Sequence, residues 1–249
     1  MIKRIKIAAA LSGLMMTQAA MAAAPDEPRW SYAGDTGPAH WADIDDGFRM
    51  CGLGRNQSPV DIQGAIDAEL PPLQLDYATT GTRVVNNGHT VQVASGEGNT
   101  LTLDGDPFTL KQMHFHAPSE HTIDGRRFPL EAHLVHSDKD GNLAVVTVLF
   151  EEGEENAALR SLADSLPDTA GERADVAGTV NFTQILPAQH NYYRLNGSLT
   201  TPPCSEGVRW VIMQTPQGIS SEQVEAFSTA IGEANHRPLQ PLNARVPLQ

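Results

Sequence analysis

Lys111-Gln-Met-His-Phe-His116 and Leu130-Glu-Ala-His-Leu-Val-His136 are the two stretches on which the fold of this chain turns. Along a β-strand successive side chains point to opposite faces. Read with that period, Gln112, His114 and His116 share one face of the first stretch, and Met113 and Phe115 share the other. In the second, Glu131, His133 and Val135 lie together while His136 points the opposite way. Two strands thus offer three imidazoles, with an amide and a carboxylate each two residues from one of them. Six of the nine histidines fall between His89 and His136, a concentration that a scattered surface distribution does not explain.

Three neutral imidazoles around a divalent ion leave the fourth tetrahedral position open, as in catalytic rather than structural zinc sites. A ligating histidine needs an acceptor on its other ring nitrogen. Gln112 and Glu131 are spaced to serve His114 and His133 in that way. A His-x-His pair alone is equally consistent with hydrogen-bonded core histidines; the third histidine, with its carboxylate on a second strand, favours the metal.

Working outward, the middle of the chain reads as strands: Thr90–Val93, Thr100–Leu103, Leu110–His116, Leu130–His136, Leu143–Phe150 and Val208–Thr215. Each is rich in β-branched or aromatic residues and bounded by Gly, Pro, Asn or Asp. Asp140-Gly-Asn142 and Asp104-Gly-Asp-Pro107 are turn signals between them. Helical signals are fewer: apolar spacing over Glu154–Leu166, and a capped start at Ser220-Ser-Glu-Gln-Val224. The expected class is mainly β, one domain on a large twisted sheet with short peripheral helices.

The first residues are basic through Lys6, then uncharged from Ile7 to Met16 and small to Ala24. That is the pattern of a secretory signal peptide over residues 1–24, too short to span a bilayer, with cleavage expected after Ala22 or Ala24. Residues 25–249 would form the mature domain, with no membrane span. Losing Lys3, Arg4 and Lys6 without any acid moves the net charge from -13 to -16, which argues against a nucleic-acid partner. The only cysteines, Cys51 and Cys204, would then sit where disulfides persist and are expected to pair.

The segments Asn86-Asn-Gly-His89, Gln112-Met-His-Phe-His-Ala-Pro-Ser-Glu-His-Thr-Ile-Asp124, Glu131-Ala-His-Leu-Val-His136 and Gly197-Ser-Leu-Thr-Thr-Pro-Pro-Cys204 closely resemble the α-class carbonic anhydrases in their exported bacterial form. Trp30-Ser-Tyr32, Asn56-Gln-Ser-Pro-Val-Asp-Ile62, Ser220-Ser-Glu-Gln-Val224 and Asn235-His-Arg-Pro238 extend the likeness over the rest of residues 25–249. The resemblance implies a largely antiparallel sheet of about ten strands with zinc at the bottom of a conical cleft. It implies reversible hydration of carbon dioxide to bicarbonate and a proton, by attack of zinc-bound hydroxide, in a periplasmic or secreted monomer or homodimer. The family's ligands map onto His114, His116 and His133, the set already reached from periodicity.

By the same resemblance, the hydroxyl of Thr200 accepts from the hydroxide and donates to a buried Glu120, and the backbone carbonyl of Asn235 holds the ring of His116. His89 matches the proton shuttle, with an ordinary histidine pKa near 6.5 suited to alternate charge states. The substrate pocket maps onto Val135, Val145, Leu199, Thr201, Val208 and Trp210, of which Val208 and Trp210 share a strand face. The polar wall would take Tyr32, Asn87 and Gln92. His121 and His136 resemble structural histidines, and His40, His190 and His236 carry no functional expectation. A cupin-type oxygenase would also place a glutamate, Glu120, after His114-x-His116, but the second cupin motif is missing from the sequence. A non-catalytic zinc-binding module on the same fold would typically lack one of the three ligands.

Overall fold

The strand Asp106–His116 changes which of its residues face the core part-way along its length. Phe108 and Leu110 are buried before the change, and Met113 and Phe115 after it. Leu110 pairs with His136 and Gln112 with Val135, so Lys111 is one extra residue against the neighbouring strand. Such a bulge shifts every later side chain to the opposite face. It turns Gln112, His114 and His116 away from the side on which Phe108 and Leu110 lie.

The computed structural model describes residues 29–249, so the predicted signal segment and its cleavage positions lie outside the described residues. An eleven-stranded sheet runs Arg173–Val180, Gly81–Asn86, Val91–Ala94, Asp106–His116, Leu130–Ser137, Leu143–Glu152, Glu206–Met213, Tyr192–Ser198. Gln74–Tyr77 joins through Asn99–Leu103 to Asp106–His116, and Gln217–Ile219 pairs with Leu143–Glu152. Pairing is antiparallel except where Leu143–Glu152 meets Glu206–Met213 and Gln217–Ile219. A small second sheet joins Asp61–Ile62, Thr122–Ile123 and Arg126–Arg127. The mainly β architecture agrees with the sequence reading, with eleven strands in the large sheet for the expected ten or so.

Two apolar clusters divide along the sheet. Met113, Phe115, Ala132, Leu134, Ala144, Val146 and Val148 belong to the larger one, beneath the helix Ser221–Ile231. That helix begins with the expected cap: Ser220 Oγ accepts from the Gln223 amide while Gln223 Oε1 accepts from that of Ser220. Its Phe227 ring lies 4.5 Å from that of Phe115. Val145, Leu149, Val208, Trp210 and Ile212 form the second cluster, on the opposite side from Ala144 and Val146 by the alternation of their strands.

The helix expected over Glu154–Leu166 is reduced to Arg160–Ala163. Its first part is held by tertiary hydrogen bonds instead. The Asn156 amide donates to Gln223 Oε1, Gln223 Nε2 donates to the Asn156 carbonyl, and Asn156 Nδ2 donates to Gly218. Leu159 and Leu162 are buried, so the apolar spacing reflected packing of a loop as much as helix.

Candidate metal centre and cleft

Cross-strand register places His114 directly opposite His133, with His116 opposite Glu131. One nitrogen from each of His114, His116 and His133 falls within 4.8 Å of the others. The remaining ring nitrogens are each held. His114 Nδ1 donates to Gln112 Oε1 at 2.8 Å, His116 Nδ1 to the Asn235 carbonyl at 2.7 Å, and His133 Nε2 to Glu131 Oε1 at 2.6 Å. Because carbonyls and a carboxylate only accept, these contacts fix the protonated nitrogen of each neutral ring and leave the inward one with a lone pair.

Burial keeps two of the rings, His114 and His133, neutral. Burial, then the neighbouring His116 and His133, hold His114 well below the usual histidine range. His133 is lowered by burial, with Glu131 opposing. Burial works to raise Glu131, but His121 and His133 overcome it and hold the carboxyl well below the usual range. Glu131 also accepts at Oε2 from the Glu120 and His121 amides, at 2.7 and 2.8 Å, and at Oε1 from His121 Nδ1 at 2.7 Å. The second possible metal group, His121, Glu131 and His133, is therefore already paired internally. His116 Nε2 differs: it is buried, has no hydrogen-bond partner, and lies 3.4 Å from Glu120 Oε2, which also has none. A ring lone pair facing a carboxylate oxygen out of water is stabilised by a cation between or beside them. Three imidazole nitrogens without thiolate or bound carboxylate suit zinc.

Glu120 is fully buried, and its Oε1 accepts from the Arg237 amide at 2.9 Å. Arg237 is itself buried, donating to Gln57 Oε1 and to the carbonyls of Ser58 and Cys51. Thr200 is buried in the segment after Ser198, but the hydrogen bond expected from its hydroxyl to Glu120 is not among those formed by the described residues. The free carboxylate oxygen is turned toward His116 instead. The Thr200 segment is anchored by the Cys51–Cys204 disulfide, which forms as expected with Cα atoms 5.0 Å apart. The Cys204 amide donates to the Thr201 carbonyl, and its own carbonyl accepts from Gln57 Nε2.

The cleft above the histidines has a volume of about 160 Å³ and is lined on one side by Tyr32, Asn87, His89, Gln92 and Thr201. Val135, Val145, Leu199, Val208 and Trp210 all belong to the second apolar cluster. Trp210 packs against His133, with ring centroids 5.0 Å apart, and Gly197 is what lets it do so: a Cβ there would stand 2.8 Å from the indole. His89 sits in a turn closed by Asn87 Oδ1, which accepts from the amides of His89 and Thr90. Gly88 takes the positive φ of 87° that this turn requires.

A family profile described as eukaryotic-type carbonic anhydrase matches residues 36–247. The chain belongs to the α-carbonic anhydrase family. It is 46% identical over 233 residues to a carbonic anhydrase of Pectobacterium carotovorum, covering 94% of this chain and 96% of the other. Among solved structures it resembles the α-carbonic anhydrase of Thermovibrio ammonificans in complex with sulfanilamide, with a TM-score of 0.87, 45% identity and coverage of 90% and 100%. The α-carbonic anhydrase of Photobacterium profundum superposes with a TM-score of 0.85 at 50% identity, covering 89% of this chain and all of the other. The chain is thus an enzyme of the carbonic anhydrase type, and this family supports carbon dioxide hydration.

Several contacts around the site were not singled out by the sequence. Trp30 stacks on His89 with centroids 3.8 Å apart and planes 7° from parallel. Thr90 Oγ1 donates to the Phe115 carbonyl, and Asn235 Nδ2 reaches both that carbonyl and that of His89. His236, given no expectation, is half-buried beside Arg127 and Glu120, and its pKa is lowered by burial first and then by Arg127. Only Trp30 and Asn235 carried a signal, through their motifs; the other contacts depend on tertiary packing.

Proposed function

We propose that this enzyme uses one zinc ion, held by His114, His116 and His133, to convert carbon dioxide and water reversibly to bicarbonate and a proton, with His89 carrying the proton out. The observation that carries this reading is the convergence of three imidazole nitrogens within 4.8 Å while each ring's other nitrogen is already satisfied. When bound there, zinc supplies a water whose pKa falls to about 7 and which serves as nucleophile at neutral pH.

The chain's own groups supply orientation and exclusion. Gln112, Glu131 and the Asn235 carbonyl hold the three rings in place before any metal arrives, so little ordering remains on binding. Glu120 is fixed at Oε1 by the Arg237 amide, which leaves its Oε2 to accept from Thr200. The Thr200 hydroxyl must then accept from the attacking oxygen, which aims a lone pair at the substrate. For that relay to form, the Glu120 oxygen now 3.4 Å from His116 must become available to Thr200.

Carbon dioxide is apolar, so Val135, Val145, Leu199, Val208 and Trp210 provide a surface it displaces water from, and Thr201 lines the cleft with the histidines. Bicarbonate, being charged, gains nothing there and leaves for water. On the opposite wall Tyr32, Asn87 and Gln92 order the water through which the proton reaches His89. The signal-like leader and the disulfide support an exported, periplasmic or secreted site of action. Stopped-flow hydration assays of chelator-treated protein, before and after zinc is restored, test the proposal. Activity lost and regained with zinc is expected; a rate that ignores the chelator refutes it.

A further inference from the structure

Glu233 is an exposed acidic side chain that touches the backbone of Tyr32, one of the residues lining the cleft, and nothing above gives it a role. The helix Ser221–Ile231 ends at Gly232, whose φ of 86° turns the chain sharply, and the next residue is Glu233. Glu233 Oε1 accepts from the Tyr32 amide at 3.5 Å, although the two lie 201 residues apart. Two residues later, Asn235 Nδ2 donates to the His89 carbonyl at 3.0 Å and its own carbonyl takes the His116 ring at 2.7 Å. One short turn therefore ties Glu233, the His89 loop and the metal site together.

The face of His89 is covered by a fixed aromatic group. Trp30, stacked on the imidazole, meets Tyr32 and Trp41 edge-on at centroid distances of 5.4 and 5.3 Å. Trp41 is fully buried, and its indole N–H donates to the carbonyls of Ser31 and Thr36. The aromatic platform is thus rigid, and the Glu233 carboxylate is attached to its backbone at Tyr32. A half-buried imidazole on such a platform loses water on one face, which penalises its charged form. A carboxylate held on the backbone of that platform opposes the penalty.

We propose that Glu233 is a positioning residue for the outward proton path: its carboxylate stabilises the imidazolium form of His89 against Trp30 and then faces the solvent into which the proton departs. The inference rests on the reading of His89 as the shuttle. The direction of the electrostatics agrees: burial lowers His89, and Glu233 is the group that raises it. Tyr32, the other titratable group on this platform, is pushed well up by burial first, then by Glu120 and Glu233, so it stays neutral. His114 and His116 line the same cleft, and a metal bound to them would act on wild type and variant alike.

The test is a pair of measurements on the zinc-loaded enzyme. In the first, the His89 ring is titrated by NMR in wild type, Glu233→Gln and Glu233→Asp. Loss of the carboxylate moves the midpoint to lower pH, Glu233→Asp restores part of the shift, and added salt draws the wild-type midpoint toward that of Glu233→Gln. In the second, hydration is followed in weak buffer, where kcat of Glu233→Gln falls while kcat/KM moves less, and imidazole buffer recovers the loss. An unmoved His89 midpoint in Glu233→Gln overturns this inference whatever the kinetics. If the midpoint shifts but His89→Ala turns over at the wild-type rate in weak buffer, the shuttle reading itself has failed, and the inference with it.

Discussion

Removing the Cys51–Cys204 bridge by substituting both residues with alanine should lower the melting temperature by about 11 °C. The bridge joins residues 153 apart in sequence. In the chain-entropy treatment a loop of that size withholds about 17 cal/mol/K from the unfolded chain, or about 5 kcal/mol at 25 °C. An unfolding entropy of about 2.1 cal/mol/K per residue, taken over roughly 220 ordered residues, converts this into the stated shift. Scanning calorimetry at one heating rate, with a rescan for reversibility, measures it. Urea unfolding provides a second readout, because an unbridged unfolded chain exposes more surface and its denaturant slope should steepen. A shift below about 3 °C with an unchanged slope would refute the reasoning, since the bridge would then act neither on unfolded-chain entropy nor on unfolded-chain dimensions.

Acid stability should depend on His136, whose Nε2 meets the Tyr77 hydroxyl at 2.8 Å and whose pKa burial lowers to about 4. The unfolded chain protonates first, near pH 6.5, so this contribution is fully present above that value. It is lost as the pH falls toward 4, and amounts to ~3 kcal/mol. Urea midpoints across this range should fall less steeply in His136→Asn; equal slopes would contradict the assignment. Glu131→Gln should weaken zinc binding by about 10- to 100-fold, read by competition with a chelator, because it disturbs the acceptor of His133 and of His121. Thr200→Val should slow hydration by ~10²-fold in stopped flow with zinc content unchanged, as expected for a lost orienting hydrogen bond. A near-normal rate would remove Thr200 from the mechanism.

Period-two reading worked for the histidines because the bulge lies just before them. Carried back past Lys111, the same alternation would have put Leu110 and Phe108 in the cleft beside His114, whereas both are buried in the larger core. Gln112 and Glu131 were legible because a residue two positions away on a strand is a neighbour in space. The Asn235 carbonyl was reached only through the family resemblance, and Arg237 behind Glu120 and Glu233 beside Tyr32 were not reached at all, because each contact joins segments more than a hundred residues apart. The truncated helix at Arg160–Ala163 shows the reverse failure. A local apolar pattern was real, but hydrogen bonds from Asn156 to Gln223 and Gly218 hold that backbone in another shape.

The central claim concerns which atoms hold the metal. X-ray absorption at the zinc edge, on protein loaded with one equivalent, reads the ligand set directly. Three imidazole rings and one further light atom that is not a carboxylate are predicted, from His114, His116 and His133 with an open fourth position. Two imidazoles with a carboxylate, the set that His121, Glu131 and His133 would give, would contradict it.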